Sequence, residues 1–289
     1  MTIQHLLDVP APAKLNLFLH VVGRRPDGYH LLQSVFTLID WCDTLHFERR
    51  LDGRLTREDL HTHTDLPADD LIIRAARALQ SATGCPLGAH IVLDKRIPMQ
   101  AGLGGGSSDA ASTLLALNRL WGLGLDATAL ARIGIGLGAD VPFFIHGRTA
   151  WVEGIGEAIT PIELPTTRFL VLKPPAGVST PDIFRHTALK WDTKRAIIEG
   201  FVALDASEAY GFGRNDLQPV AEQLCPDIGQ GLRWLQAKGL EGRMTGSGSA
   251  LFARLRSDVD TSDLPRGWIA RHCNNLREHP LIGWRQRLY

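Results

Sequence analysis

Ile97-Pro-Met-Gln-Ala-Gly-Leu-Gly-Gly-Gly-Ser-Ser-Asp-Ala-Ala-Ser112 is the stretch from which the fold of this chain can be predicted. Its four glycines, all between positions 102 and 106, let the backbone adopt positive φ angles and approach a ligand closely. The β-like run Ala89–Lys95 precedes them, and apolar residues recur near helical spacing after them. We therefore predict a strand, a glycine loop and a helix, with Ser107 or Ser108 as the helix cap and Asp109 in the first turn.

This arrangement is suited to binding a phosphate group. Free backbone N–H groups and the positive end of the helix dipole would point into the loop. The loop lacks the Gly-Lys pair of a Walker A motif, and neither Gly102 nor Gly104 begins a G-x-G-x-x-G dinucleotide motif. A flexible glycine turn that binds nothing is the alternative, but a capped apolar helix directly after the loop favours phosphate binding.

A second candidate segment is the strand predicted over residues 10–22. Period-two alternation places Lys14 and Asn16 on one face of this strand and leucines on the other. The two polar side chains are therefore neighbours. The pattern alone also allows them to lie on a solvent-facing edge.

The next segment combines a turn with two side chains that can recognise a nucleobase. Pro26-Asp27-Gly28 predicts a turn, which brings Tyr29 and His30 to the start of the following strand. An aromatic ring can stack on a base, and an imidazole can form hydrogen bonds with its polar edge. The alternative is that the two residues form a half-buried hairpin pair.

Two later residues are further candidates for the site. Asp140 lies in Gly138-Ala-Asp-Val-Pro-Phe-Phe144, between a break in the chain and an apolar run, where a carboxylate needs partners. Capping a turn is the alternative role for this residue. Phe184 follows a helix start at Thr180-Pro181, and its ring is either a stacking surface or a core residue.

The remaining patterns predict an α+β order, because strands dominate the first 50 residues and helices mix with strands afterwards. Residues 31–40 and 43–50 are expected to pair as a hairpin, and residues 51–67 to form a polar loop that includes His61 and His63. Asp69 or Asp70 should cap a helix that runs to about residue 81. The tail predicts a helix near residues 267–276 and a short strand near residues 281–284.

The composition limits the classes of function. The chain has 289 residues, 44% of them hydrophobic, which is enough for a sizeable core and two domains. Its 31 basic and 31 acidic residues balance, which argues against nucleic-acid or membrane-surface binding. The four cysteines form no C-x-x-C pair, so neither a metal site nor a disulfide framework is expected. Without a signal-like or membrane-spanning run, a cytoplasmic protein is the expectation.

Several motifs together resemble the GHMP kinases, which phosphorylate galactose, homoserine, mevalonate and phosphomevalonate. They are P-A-K-L-N-L, P-x-x-x-G-L-G-G-G-S-S-D-A-A, G-A-D-V-P-F-F and G-S-G-S-A, in the order of that family. The resemblance implies a two-lobed fold, with a ribosomal protein S5 domain 2-like lobe (residues 1–162) and a ferredoxin-like lobe (residues 163–289). It implies ATP and Mg²⁺ as cofactors, and Lys14 and Asp140 as catalytic residues. The residues implied to bind the ATP phosphates are Pro98, Gly102, Leu103, Gly104, Gly105, Gly106, Ser107 and Ser108.

The run G-R-R-P-D-G-Y-H-L-L is similar to one branch of that family, whose members phosphorylate the 2-hydroxyl of 4-diphosphocytidyl-2-C-methyl-D-erythritol in the non-mevalonate isoprenoid route. This similarity implies a small-molecule substrate bound by Asn16, Tyr29, His30 and Phe184, in a monomer or weak homodimer. Asp70 departs from the asparagine that the family often carries near the adenine. The alternatives are another small-molecule kinase of the family and a nucleotide-binding protein without catalytic activity.

Overall fold

A computed structural model describes residues 3–61 and 66–285 of the chain. Strands and helices are mixed along these residues, as an α+β fold requires. The strands are β1 (His5–Arg24), β2 (His30–Arg50), β3 (Leu55–Asp59), β4 (Gly88–Asp94), β5 (Ala150–Gly154), β6 (Ala158–Pro161), β7 (Arg168–Lys173), β8 (Gly242–Met244), β9 (Leu251–Leu255) and β10 (Ile269–Leu276). The helices are α1 (Leu71–Thr83), α2 (Gly105–Leu120), α3 (Ala127–Ile135), α4 (Val141–His146), α5 (Thr180–Arg185), α6 (Ile198–Val202), α7 (Ala206–Gly211), α8 (Gln218–Leu224), α9 (Pro226–Ala237) and a 3-10 helix (Ile282–Arg285).

The N-terminal sheet is built around β2. Strand β1 pairs antiparallel along one edge of β2, while β5, β10 and β4 pair in succession along the other edge. The predicted hairpin between residues 31–40 and 43–50 is therefore wrong, because β2 continues through both segments. Trp41 and Cys42, which connect them, are not turn-forming residues, so nothing in the chain interrupts the strand.

The C-terminal sheet has the strand order β10-β7-β9-β8, with every pair antiparallel. Numbered along the chain, this order is 4-1-3-2, which is the ferredoxin-like arrangement implied by the family resemblance. The predicted helix over residues 267–276 is wrong, since Ile269–Leu276 is the strand β10. Through the pairs Asn275–Ile39 and Leu276–Leu38, β10 also joins the two sheets.

Three apolar clusters hold these layers together. The first packs α1 to α4 on the N-terminal sheet, and the third packs α8 and α9 on the C-terminal sheet. The second contains Phe18 and Trp151 from the first half of the chain with Phe169 and Phe201 from the second half. Because residues of both halves share this cluster, the two halves of the chain pack on a common core. A boundary between residues 162 and 163 stays a prediction.

The outer edge of β1 fixes the parts of the chain that surround the cleft. The backbone N–H of Lys14 donates to Leu103 O at 2.9 Å, and that of Asn16 donates to Thr245 Oγ1 at 2.9 Å. The N–H of Leu19 donates to Arg214 O at 2.9 Å. A strand edge whose donors are occupied in this way is not exposed to solvent, and the solvent-facing alternative for Lys14 and Asn16 is wrong.

Helix starts were predicted with mixed success. Asp70 caps α1 as expected, and its carboxylate accepts a hydrogen bond from the backbone N–H of Ile73. The expected cap of α2 by Ser107 or Ser108 is wrong, because α2 already begins at Gly105. Gly104, with a φ of 72°, occupies the cap position without a side chain.

Two smaller expectations also fail. The predicted polar loop over residues 51–67 contains β3, which pairs parallel with β4, and the predicted strand near residues 281–284 is the 3-10 helix. His63 lies outside the described residues. In the part of the chain that the structure covers, no helix combines the length and apolar character needed to span a membrane.

Candidate active site

A cleft of about 850 Å³ lies where the glycine loop, β1, the start of α4 and the start of α5 meet. Its lining includes Lys14, Asn16 and Asp140, the phosphate-loop candidates Pro98 and Gly102 to Ser107, and Phe184. Ser108 is fully buried behind the loop and does not belong to this lining. The cleft thus brings together segments that are far apart in the sequence, from Lys14 to Gly248.

Lys14 and Asp140 face each other inside the cleft. The Nζ atom of Lys14 lies 3.7 Å from Oδ2 of Asp140, and the two side chains are 5% and 31% exposed. Burial lowers the pKa of the Lys14 ammonium, and the neighbouring Asp140 carboxylate opposes that change. The partly open Asp140 precedes α4 directly and makes no capping hydrogen bond, so its carboxylate is available to a ligand.

Asn16 holds the ammonium in place from the other side. Its Oδ1 accepts a short hydrogen bond from Lys14 Nζ, and its Nδ2 donates to Ser34 Oγ at 3.0 Å. Thr245 Oγ1 receives the Asn16 backbone N–H. Because both ends of the buried amide are occupied, the Lys14 side chain is oriented before any ligand arrives.

The glycine loop lies directly against Lys14. A Cβ atom on Gly104 would come within 3.1 Å of Lys14 Cγ and 2.9 Å of a Phe144 ring carbon, so only glycine allows this approach. The first N–H groups of α2, at residues 105–107, have no acceptor within the helix. They therefore provide a cradle of donors for an anion beside the Lys14–Asp140 pair.

Gly102 ties the loop to the C-terminal lobe. Its φ is +72°, and a Cβ atom there would lie 2.2 Å from the carbonyl oxygen of Thr245. The Gly246–Gly248 turn between β8 and β9 lines the cleft next to it. Strands β8 and β9 pair antiparallel, so this turn closes a hairpin, and its Gly246 packs against Gly102 of the glycine loop.

The candidate base-binding residues lie at and beside the part of the cleft that is lined by α5. The ring of Phe184, on α5, stacks on His30 with a centroid distance of 5.3 Å and an interplanar angle of 28°. Burial and the nearby Arg24 lower the pKa of His30, which favours the neutral imidazole. Of the three, only Phe184 lines the cleft; His30 adjoins it through the stacking on Phe184, and Tyr29 is 61% exposed and outside the lining.

Beneath the loop lies a cluster that the sequence interpretation missed, formed by Asp43, Lys95 and Asp109. Lys95 Nζ lies 2.5 Å from Asp43 Oδ2 and 2.6 Å from Asp109 Oδ2, and all three side chains are at most 6% exposed. The available signal was weak: a lysine ends the predicted strand before the loop, and an aspartate follows the two serines. Nothing in the sequence indicated that Asp43, 52 residues away from Lys95, would join them.

A further group of residues lines the cleft beside the glycine loop, near the start of α1. Asp70 is already engaged there, because one oxygen caps α1 and the other lies 2.9 Å from Arg57 Nη1. The carboxylate in place of the asparagine typical of the family is thus neutralised by a partner from β3. The other lining residues at this end are Leu66, Pro67, Asp69, Leu71, Arg74 and Met99.

Comparison with known proteins identifies the family. The family model of the GHMP kinases N terminal domain matches residues 70–148, and that of the GHMP kinases C terminal matches residues 196–274. A 4-diphosphocytidyl-2-C-methyl-D-erythritol kinase from Paracidovorax citrulli is 64% identical over 96% of this chain and 97% of its own length. The protein of that name from Polaromonas naphthalenivorans is 63% identical over 96% of each chain.

The fold agrees with these sequence matches. A crystal structure of a 4-(cytidine 5'-diphospho)-2C-methyl-D-erythritol kinase superposes with a TM-score of 0.72 at 36% identity, over 88% of this chain and 90% of that chain. Two family descriptions, full-length relatives and a shared two-lobed architecture lead to the same assignment. This chain belongs to the GHMP kinases and, among them, to the family of 4-diphosphocytidyl-2-C-methyl-D-erythritol kinases.

Proposed function

We propose that this protein transfers the γ-phosphoryl group of ATP to the 2-hydroxyl of 4-diphosphocytidyl-2-C-methyl-D-erythritol. The observation that carries the proposal is the contact between the glycine loop and the stem of Lys14, with Asp140 3.7 Å from the Lys14 ammonium. The proposal is supported because the glycine loop, which offers donors suited to phosphate, lies next to this acid–amine pair. The names of the most similar relatives supply the substrate.

The glycine loop aligns the nucleotide. Phosphoryl transfer asks a protein mainly for alignment and charge neutralisation. The N–H groups of residues 105–107 and the dipole of α2 stabilise the phosphates of ATP. Magnesium would accompany ATP and would neutralise part of the charge of its phosphates.

Asp140 acts on the acceptor. Its partly exposed carboxylate accepts the proton of the 2-hydroxyl as the hydroxyl oxygen attacks the γ-phosphorus and the bond to the β,γ-bridging oxygen breaks. The Lys14 ammonium, oriented by Asn16, stabilises negative charge on the attacking oxygen and the transferred group. ADP and the 2-phosphorylated alcohol leave, and Asp140 releases its proton to solvent.

The cytidylyl end of the substrate provides binding energy far from the reacting hydroxyl. Phe184 offers a ring face to the cytosine, and His30 offers imidazole nitrogens to its polar edge. Tyr29 reaches the base only if its ring turns in from its exposed position. Binding at this end positions the hydroxyl against Asp140, so a truncated alcohol should lose turnover as well as affinity.

A substrate panel tests the proposal. Release of ADP is measured with magnesium-ATP and, in separate reactions, the cytidylyl substrate, mevalonate, homoserine and galactose. Among these alcohols, we expect only the cytidylyl substrate to support ADP release. Preference for another alcohol would favour another GHMP kinase activity, and ATP binding without any ADP release would favour a non-catalytic nucleotide-binding protein.

A further inference from the structure

The cluster of Asp43, Lys95 and Asp109 places three buried charges directly behind the phosphate loop. A Cβ atom on Gly105 would lie 3.1 Å from Lys95 Nζ, so the ammonium sits under the first residue of α2. With both carboxyl groups ionised, the cluster carries a net charge of −1 immediately behind a loop that binds an anion. With one carboxyl protonated, it is neutral.

The hydrogen bonds of the cluster indicate which carboxyl holds the proton. Oδ1 of Asp43 accepts the backbone N–H groups of Arg96 and Ile97 at 2.5 and 2.7 Å, and its Oδ2 accepts Lys95. All of these partners stabilise Asp43 as an anion. Asp109 has only Lys95, and its Oδ1 is buried without a hydrogen-bond partner among the described residues.

The energetics point the same way. Burial raises the pKa of Asp109 to about 8; Lys95 opposes this change, and the charge of Asp43 adds to it. Burial alone would lower the pKa of Lys95, but the two carboxylates raise it above its ordinary value, so the ammonium stays charged. The proton that comes and goes near neutral pH therefore belongs to Asp109.

The other charged groups around α2 are already paired or lie away from the cleft, except Arg74 on α1, which lines it. On β1, Lys14 pairs with Asp140, and on α1, Asp70 pairs with Arg57 and Asp69 with Arg77. Arg96 pairs with Asp94. Outside the cleft lining are Arg132 on α3, His146 on α4 and Arg285 on the 3-10 helix.

We propose that the phosphate loop binds ATP with uptake of a proton by Asp109, which makes the buried cluster neutral while the triphosphate is held. The inference rests on the proposed function, since it concerns the same phosphate site. Asp109 is a positioning residue here: its side chain reaches the cleft lining but is only 3% exposed, and it acts through the charge that it places beneath the loop. Its protonation removes a charge that would repel the phosphates across the loop.

The direction of the pH dependence follows from this linkage. An anion in the loop favours neutral Asp109 and raises its pKa further above 8. ATP affinity is therefore full below pH 8 and declines as the pH rises from the pKa of the free protein to that of the complex. A single buried charge at this range should weaken binding roughly tenfold.

Calorimetry of the full chain with the magnesium complex of a non-hydrolysable ATP analogue tests the inference. Titrations near pH 8 in two buffers of different ionisation enthalpy count the protons taken up. Wild-type protein should take up a fraction of a proton, and its affinity should fall about tenfold by roughly pH 9.5. Asp109→Asn, which mimics the protonated acid, should take up none and keep its affinity at high pH.

Three results would overturn the inference. Wild-type binding without proton uptake would do so on its own, so the test does not depend on a variant that folds. Uptake that persists undiminished in Asp109→Asn would assign the proton to another group, for example Lys14. Binding of no analogue at any pH would refute the proposed function itself, whereas the first two results leave that function intact.

Discussion

At the scale of single residues, the function depends on how burial changes ordinary side chains. Lys14 is 4% exposed and Asn16 is 1% exposed, which a sequence pattern of alternating polar and apolar residues does not indicate. Their hydrogen bonds to each other and to Ser34 explain how such polar groups are tolerated in the interior. The roles of these residues remain predictions that substitutions can test.

Asp140→Asn should remove the base and keep the shape of the site. We expect turnover to fall by about 10²–10⁴-fold, with little change in the KM of either substrate. Steady-state kinetics measures both parameters. Asp258→Asn is the matched control, because this aspartate is 85% exposed and pairs with Arg168 far from the cleft lining. Equal rates in wild-type protein and Asp140→Asn would remove Asp140 from the mechanism.

Phe184→Leu should weaken the cytidylyl substrate selectively. A base stacked on an aromatic ring contributes about 1–3 kcal/mol, which corresponds to an increase in KM of roughly 5–150-fold. The KM of ATP should stay within about twofold. Phe184→Tyr preserves the ring and serves as the control. If KM for both substrates rose equally, Phe184 would be a structural residue of α5.

At the scale of elements, the helix after the glycine loop shows where sequence patterns succeed and fail. The strand, loop and helix were predicted from residues 89–112, because local glycine content and apolar spacing suffice for them. The N-cap of α2 was not predicted correctly, because Gly104 adopts a positive φ and lets the helix begin before the two serines. Likewise, β10 pairs with β7 and β2, and such distant partners leave no trace in the local pattern of Ile269–Leu276.

Comparing Gly102→Ala with Gly122→Ala should separate two contributions to the loss of stability, the strained backbone conformation and the steric clash. Gly122 has a similar positive φ of +69° but no atom near its missing Cβ, so Gly122→Ala should cost about 1–2 kcal/mol. Gly102→Ala adds a clash 2.2 Å from Thr245 O and should cost more, with loss of ATP binding. Thermal unfolding and nucleotide titration measure both. Equal stability losses with ATP binding intact would contradict the close packing of the two loops.

At the scale of the whole molecule, the C-terminal segment around residues 279–281 packs against the N-terminal lobe. His279 donates its backbone N–H to Gly147 O at 2.7 Å, and Leu281 is buried in the cluster that contains α4. The ring of His279 is fully buried, and burial followed by the charge of Arg285 lowers its pKa from 6.5 to about 4. Asp140, directly before the other end of α4, thus adjoins a helix that contacts the C-terminal segment.

Acid should destabilise the protein through this histidine. In the unfolded chain His279 binds a proton below pH 6.5, whereas in the folded chain it does so only near pH 4. The free energy of unfolding therefore keeps its full value above pH 6.5 and decreases as the pH falls from 6.5 to about 4. The loss amounts to about 3 kcal/mol. Unfolding in denaturant at several pH values should show it, with a smaller slope in His279→Asn. His272→Asn, at an exposed position, should behave as wild type; an unchanged slope in His279→Asn would contradict this account.

For the site as a whole, the sequence predicted which residues line the cleft better than it predicted the contacts that hold them there. Lys14, Asp140 and the loop were found through motifs, and the cleft brings all three together. The ion cluster of Asp43 and Lys95 was not predicted, because it forms only where β2 and β4 lie side by side, and this pairing cannot be derived from the sequence pattern. Tyr29 was expected beside the base; its ring is 61% exposed and outside the cleft lining, and its role stays a prediction.

A crystal structure with a non-hydrolysable ATP analogue, Mg²⁺ and the cytidylyl substrate tests the central claim most directly. We predict the triphosphate on the N–H groups of residues 105–107, the cytosine against Phe184, and the 2-hydroxyl about 3 Å from the Asp140 carboxylate. A complex with the hydroxyl turned away from both Lys14 and Asp140, or with the triphosphate outside the glycine loop, would contradict it.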